Sequence, residues 1–195
     1  GAYPAILTSA SAHFSIARAA VAAGLGTDAV VHIRTDAHGR MDVRELERMC
    51  AEMQADAAHP QGVPLIVCAT SGTTVLGAFD DVAAIAEVCR KYDLWLHVDA
   101  SWGGAAAFLP LDAPERSVLA GLENAHSITI NPHKLLGVTH QCSFLLVHDK
   151  SVLIPPSHSD GGYLFHVPAE DALDMATKTL GCGRRGDALK FYLVW

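Results

Sequence analysis

Short apolar, β-branched runs alternate along this chain with stretches whose apolar residues recur at helical spacing, and that alternation restricts it to a layered α/β fold. Residues 29–34 (AVVHIR), 64–70 (PLIVCAT), 94–100 (LWLHVDA), 126–130 (HSITI) and 142–148 (CSFLLVH) have the length and residue types of strands. Helix candidates lie between them. Over residues 11–23, Ile16, Ala19, Ala20 and Ala23 fall at helical spacing, and Gly24 and Gly26 then supply a stop. Asp42-x-x-Glu45 reads as a capping box that opens a helix running to about Met53, and Asp80 or Asp81 caps VAAIAEVCRKY. Strands alternating with helices predict a mostly parallel sheet with helices on both faces; the last two strands, separated by a loop containing residues 131–140, are also compatible with antiparallel pairing.

A chain that is 50% hydrophobic and 18% charged can bury a sizeable core. Its formal charge of −7, with no basic cluster, makes nucleic acid or an anionic membrane surface a poor match and a small molecule the default ligand. No apolar run approaches the roughly 18 to 20 residues that span a bilayer. The five cysteines are scattered and form no CxxC pair, which fits a reducing, cytoplasmic setting better than a disulfide framework. Nor do the 11 histidines and the cysteines fall at zinc-ligand spacings, so no metal site is expected. The opening GAYPAILTSASAHF lacks both an initiator Met and the pattern of a signal peptide, and the closing LKFYLVW is apolar, so the chain is expected to be the middle of a longer protein. Pro155, Pro156, Gly161 and Gly162 defeat regular structure in residues 151–171, where a mobile surface loop is expected.

In open α/β sheets the ligand sits beyond the carboxyl ends of the strands. Here those ends read SGTT, DAS and NPHK. Pro132 restricts the backbone just before Lys134 and sets a long amine at the ligand edge. An amine there can condense with an aldehyde, and a pyridoxal phosphate site combines such a Schiff base with an acid for the pyridinium nitrogen. Asp99, at the end of an apolar strand, is the natural acid because a carboxylate there demands a cation. Taken singly, Lys134 also reads as a solvated loop lysine, Asp99 as a helix cap or ion-pair partner, and SGTT as turn chemistry.

Joined in order, the stretches TSASAHFSIARAA, ATSGTTVLGAFDDVAAIAEVCRKYDLWLHVDASWGG, NPHKLLGVTHQCSFLLV, GGYLF and LGCGRRGDALKFYLVW closely resemble the group II pyridoxal-phosphate-dependent amino-acid decarboxylases, most of all the glutamate and cysteine sulfinate decarboxylase branch. The resemblance runs from Thr8 to Trp195. It implies the large domain of the fold type I, transferase-like architecture, with residues 1–150 as the cofactor-binding part, 151–168 as a mobile catalytic loop and 169–195 as a return segment toward a small domain. The implied cofactor is pyridoxal 5′-phosphate, the implied substrate an amino acid, and the implied assembly a homodimer.

The same resemblance assigns roles. Lys134 would hold the cofactor covalently, Asp99 would keep its ring nitrogen protonated, and His13 would stack on the ring; taken singly, His13 also reads as a histidine at a helix start. Thr74, His133 and Ser9 would border the ring or phosphate. Tyr163, in GGYLF, would deliver a proton to the α-carbon, with Gly161 and Gly162 letting its loop close. Ser101 stands where the family often has Ala, which puts the ring's tilt in question. Gln141, Arg184 and Arg185 are candidates for the site or a subunit interface, with ion pairing the plainer role for the arginines. The reaction so implied is decarboxylation of an L-amino acid, with an acidic one such as glutamate, aspartate or cysteine sulfinate as the leading substrate class. The alternatives are an aromatic amino-acid decarboxylase and an inactive scaffold of the same fold.

Overall fold

A computed structural model describes residues 3–56, 58–153 and 185–195, in which the apolar runs pair into one six-stranded sheet. Its strands are β1 (Pro4–Ser9), β2 (Val30–Ile33), β3 (Val63–Thr70), β4 (Trp95–Asp99), β5 (Ser127–Ile130) and β6 (Phe144–Val147), in the order β2-β1-β3-β4-β5-β6. The first five run parallel, and β6 is antiparallel to β5. The helices are α1 (Ser15–Ala22), α2 (Val43–Ala55), α3 (Val82–Lys91) and α4 (Asp187–Val194). No helix among the described residues is long and apolar enough to cross a membrane.

Strand alternation gives the sheet two unlike faces. On one, Leu7, Val31, Ile33, Val67, Leu96 and Val98 pack with Leu46, Cys50 and Met53 of α2 and Ile85 and Cys89 of α3. Fully burying a side chain of this size contributes about 1.5–3 kcal/mol each. The other face carries Thr8, Cys68, Thr70, His97, Asp99, Ser127 and Thr129 in matching register. The connections step in opposite directions from β1, so the right-handed crossover rule places α1 on the opposite side from α2 and α3; α2 and α3, and not α1, contribute residues to the apolar-face core.

The structure adds a strand, corrects two local expectations and chooses between the two candidate caps of the third helix. Residues 4–9 are not among the strand candidates of the sequence, yet β1 lies inside the sheet between β2 and β3. Its run is short, opens on Pro4 and closes on Thr8 and Ser9, so tertiary pairing rather than local propensity makes it a strand. The first helix begins at Ser15 rather than near Ser11, because Ser9 Oγ accepts from the Ser11 N–H and His13 Nδ1 from the Ser15 N–H, so side chains hold this stretch as a turn. The capping box is half formed: Asp42 accepts from the N–H groups of Arg44 and Glu45, but the Glu45 carboxylate turns to Arg48 and Arg34, and the Asp42 N–H goes to the Arg34 carbonyl. Of the two candidate caps for α3, Asp81 accepts from the Ala84 N–H, whereas Asp80 is buried.

Asp80 ties two connections together. Its oxygens accept from the Met41 N–H at 2.6 Å and the Thr70 N–H at 2.8 Å. Burial pushes its carboxyl up, against the pull of those two N–H groups. The folded chain therefore holds this proton more tightly than the unfolded one, and Asp80's contribution to stability falls as pH rises from the ordinary aspartate value through the folded one. Asp81→Ala is expected to cost about 1 kcal/mol as a lost cap. Asp80→Ala strands two N–H groups and is expected to cost about 3 kcal/mol or more. Urea unfolding of the full-length protein decides between them, and equal losses would refute the distinction.

Candidate functional site

The strand order reverses at β1, where the chain first steps to β2 and then crosses back to β3, so the carboxyl ends of β1 and β3 open a crevice between connections that leave on opposite faces. The residues following β1, β3, β4 and β5 meet along this edge. From one side to the other they include Ser9 and His13, then Ser71 and Thr74, then Asp99 and Ser101, then His133 and Lys134.

After β1, Ser9 is buried and its hydroxyl is committed to the Ser11 N–H at 3.1 Å. His13 is half-buried, its Nδ1 accepts from the Ser15 N–H at 3.2 Å, and its ring leans on Phe14 with centroids 4.1 Å apart. An accepting Nδ1 leaves the proton of a neutral ring on Nε2.

After β3, the Ser71 N–H donates to the Asp99 carbonyl at 2.9 Å, and the Ser71 carbonyl accepts from the Gly103 N–H at 3.0 Å. That contact requires glycine on both sides. A Cβ on Gly72 would stand 2.9 Å from the Gly103 nitrogen, and one on Gly103 would stand 2.4 Å from the Ser71 oxygen. Gly72 also has a φ of 90°, which side chains rarely adopt. Thr73 is buried with its hydroxyl accepting from the Ala78 N–H, while Thr74 is exposed.

Asp99 ends β4, directly between Thr70 and Thr129. It is half-buried, its Oδ1 accepts from the Ser101 N–H at 3.0 Å, and no cation among the described residues pairs with it. Lys134 follows β5 in a turn closed by its own N–H on the Asn131 carbonyl at 2.9 Å. Lys134 is half-buried, and its ammonium makes no hydrogen bond or ion pair among the described residues. His133 is turned to the backbone of Cys142, whose N–H lies 3.1 Å from Nδ1, and edge-on to His140. Gln141 is exposed, and its carbonyl accepts from Lys190 of α4. Arg185 is exposed; Tyr163 and Arg184 lie outside the described residues.

Two features of this edge escaped the sequence. Ser71 Oγ and Asn131 Oδ1 are buried with no hydrogen-bond partner among the described residues. Leaving such a group unsatisfied costs about 1–3 kcal/mol. Both immediately follow strands, which is the only signal the sequence carries of them. Alongside lies an open apolar cleft of about 640 Å³, with Thr74, Val75, Leu76, Trp102, Leu109 and Leu135 among its lining residues. It is contiguous with the strand ends through Gly72 and Thr74 but includes neither Lys134, Asp99 nor His13, so the polar chemistry sits beside the cleft.

The edge thus presents a carboxylate without a counter-ion, an uncommitted amine and two orphaned polar atoms. Comparison with known proteins gives the chain a family. Residues 2–195 match the pyridoxal-dependent decarboxylase conserved domain. The chain is 46% identical to human cysteine sulfinic acid decarboxylase over 98% of its length and 38% of that protein's. It is 44% identical to the L-aspartate decarboxylase dtxS4 of Metarhizium robertsii over 98% of its length and 37% of that protein's. The crystal structure of mouse CSAD superposes with a TM-score of 0.84 at 43% identity, covering 98% of this chain and 38% of that one. The chain therefore spans less than two fifths of the relatives it matches, and it belongs to the pyridoxal-dependent decarboxylase family.

Proposed function

We propose that the protein containing this chain removes the α-carboxylate of an acidic L-amino acid with pyridoxal 5′-phosphate as cofactor. The observation that carries the reading is the half-buried Asp99 carboxylate, without a cation of its own, on the same strand-end edge as the uncommitted Lys134 amine. A protonated pyridine nitrogen meets the first need and an aldehyde the second, so the residues present fit the cofactor. Bound there, it supplies an electron sink for the pair left when carbon dioxide departs.

The chain's own residues supply the rest. Lys134 holds the aldehyde carbon, Asp99 keeps the ring nitrogen protonated, and His13 offers a ring face with its proton on Nε2. Ser71 and Asn131 are poised to bond a polar group that the described residues do not provide. Thr74, Ser101, His133 and Ser9 border the site; the hydroxyl of Ser9 and the ring of His133 already hold their own loops, so theirs are supporting roles. Tyr163 is assigned proton delivery to the α-carbon on the strength of its GGYLF motif, within a catalytic loop at residues 151–168 that follows the cofactor-binding part at 1–150 and precedes a return segment at 169–195.

An acidic substrate is supported by relatives named for aspartate and cysteine sulfinate. Exposed Val75, Leu76 and Leu111 favour burial against further protein, which supports a homodimer of the full-length protein. The four buried thiols among the described residues are free, which suits the cytoplasm.

Borohydride reduction of the full-length protein loaded with pyridoxal phosphate, followed by peptide mapping, should label Lys134, with carbon dioxide released from aspartate, glutamate or cysteine sulfinate and not from aromatic amino acids. Lys134→Ala should abolish both, and a label that persists in this variant would overturn the assignment. Tyr163→Phe should retain cofactor but divert product toward the carbonyl compounds of abortive transamination, so an unchanged product ratio counts against the proton-donor role. Ser71→Ala removes no bond from the cofactor-free fold and should leave its stability unchanged or raise it by about 1 kcal/mol. The same variant should weaken cofactor retention in equilibrium dialysis, and a less stable cofactor-free protein would show that the hydroxyl serves the fold.

A further inference from the structure

His97 stands two residues before Asp99 on β4, so both side chains project from the polar face of the sheet, in adjacent rows. Its row is Cys68, His97 and Ser127; the next is Thr70, Asp99 and Thr129. His97 Nδ1 lies 2.8 Å from Ser127 Oγ, and its Nε2 lies 3.4 Å from Thr129 Oγ1. Ser127 Oγ also accepts from the Trp95 indole N–H at 2.9 Å.

These contacts have a direction. An indole N–H only donates, so it occupies one lone pair of Ser127, and the hydroxyl hydrogen has His97 Nδ1 as its one acceptor among the described residues. With Nδ1 accepting, the indole hydrogen and the hydroxyl hydrogen are both satisfied, and the proton of a neutral ring then sits on Nε2, toward Thr129 and the row of Asp99. The titratable neighbours are Cys68 on one side strand and Asp99 on its own. Burial pushes the Cys68 thiol up to about 12, so it stays neutral. Burial also pulls His97 down, against the opposing pull of the Asp99 charge, so the ring stays uncharged at neutral pH.

We propose that His97 is a positioning residue for Asp99: fixed by Trp95 and Ser127, it presents a neutral N–H dipole toward the carboxylate's row, which favours the anion without neutralising it and so keeps the Asp99 charge for the cofactor's ring nitrogen. A cation at this position would pair with Asp99 and repel a protonated ring. A neutral apolar side chain would leave the anion less stabilised, and the shared proton would move from the ring nitrogen to the carboxylate. The inference rests on the preceding reading for the cofactor's place beside Asp99, but the state of His97 is measurable without cofactor.

The test uses the full-length protein. In the cofactor-free form, nitrogen NMR of the His97 ring should show a neutral Nε2–H tautomer, and Ser127→Ala should shift it toward Nδ1–H. With pyridoxal phosphate labelled at the ring nitrogen, His97→Phe should lower the midpoint for ring protonation by about one pH unit, a tenfold change in that equilibrium. kcat should fall with it while KM changes by less than about twofold, and His97→Gln, which restores an N–H donor, should recover most of the loss. A charged His97, an Nδ1–H tautomer in the parent, or a ring midpoint unmoved in His97→Phe would each overturn the proposal. If His97→Phe fails to fold, the tautomer in the parent and in Ser127→Ala decides alone. Failure to capture cofactor at Lys134 would overturn the reading of function and leave the tautomer result standing on its own.

Discussion

The Ser71 N–H on the Asp99 carbonyl, answered by the Gly103 N–H on the Ser71 carbonyl, is the contact on which the site depends. It joins the ends of β3 and β4 backbone to backbone, at a separation that no Cβ on Gly72 or Gly103 would permit. Asp80 reinforces the same junction from below by holding the Thr70 N–H, and through Met41 it ties in the connection that precedes α2. Because these groups are main-chain or buried, the SGTT turn and the Asp99 carboxylate are set relative to each other before any ligand arrives. That is pre-organisation in the ordinary sense, since ordering already done in folding is not charged to binding.

Charge is handled in opposite ways on the surface and at this edge. On α2, Arg48 lies against both Glu45 and Glu52, and Arg90 on α3 against Glu87. Such exposed pairs are each worth about 0–1 kcal/mol, and they close their charges off locally. At the strand ends, Asp99 and Lys134 have no ion-pair partner among the described residues, while main-chain bonds hold the turns that carry them. An open charge and an orphaned hydroxyl both raise the energy of the cofactor-free chain, and a ligand that completes them recovers that energy as affinity.

Much of this was legible in the sequence, and the reason is periodicity. Five of the six strands and the helices α1 to α3 follow from apolar runs and spacing, and the positions of Lys134 and Asp99 follow from the rule that ligands gather at strand ends. What depended on pairing was hidden. β1 is a strand because β2 and β3 flank it, and Glu45 abandons the capping box because Arg34 and Arg48 come within reach. Asp80 and Asp81 are adjacent and chemically identical, yet only the fold decides that one is a cap and the other a buried tie. His97 gains its role from cross-strand register, and Ser71 and Asn131 gain theirs from how the turns after β3 and β5 pack, neither of which a local pattern encodes.

The two faces of the sheet divide stability from chemistry. Parallel strands covered on both sides usually read as continuous apolar runs, and β3 and β4 depart from that by placing Cys68, Thr70, His97 and Asp99 on one face. Neighbours in the next strand or the loop answer polar groups on this face: Thr8 reaches the Cys68 carbonyl, Ser127 takes both Trp95 and His97, and the Ser101 N–H holds Asp99. The apolar face, packed by α2 and α3, provides the stability that lets the polar face remain incompletely satisfied. A sheet apolar on both faces would be more stable and would have nowhere to keep a carboxylate charged. The alternation that makes a β-strand is thus also what lets one strand, β4, bury Leu96 and Val98 in the core while presenting His97 and Asp99 to the site.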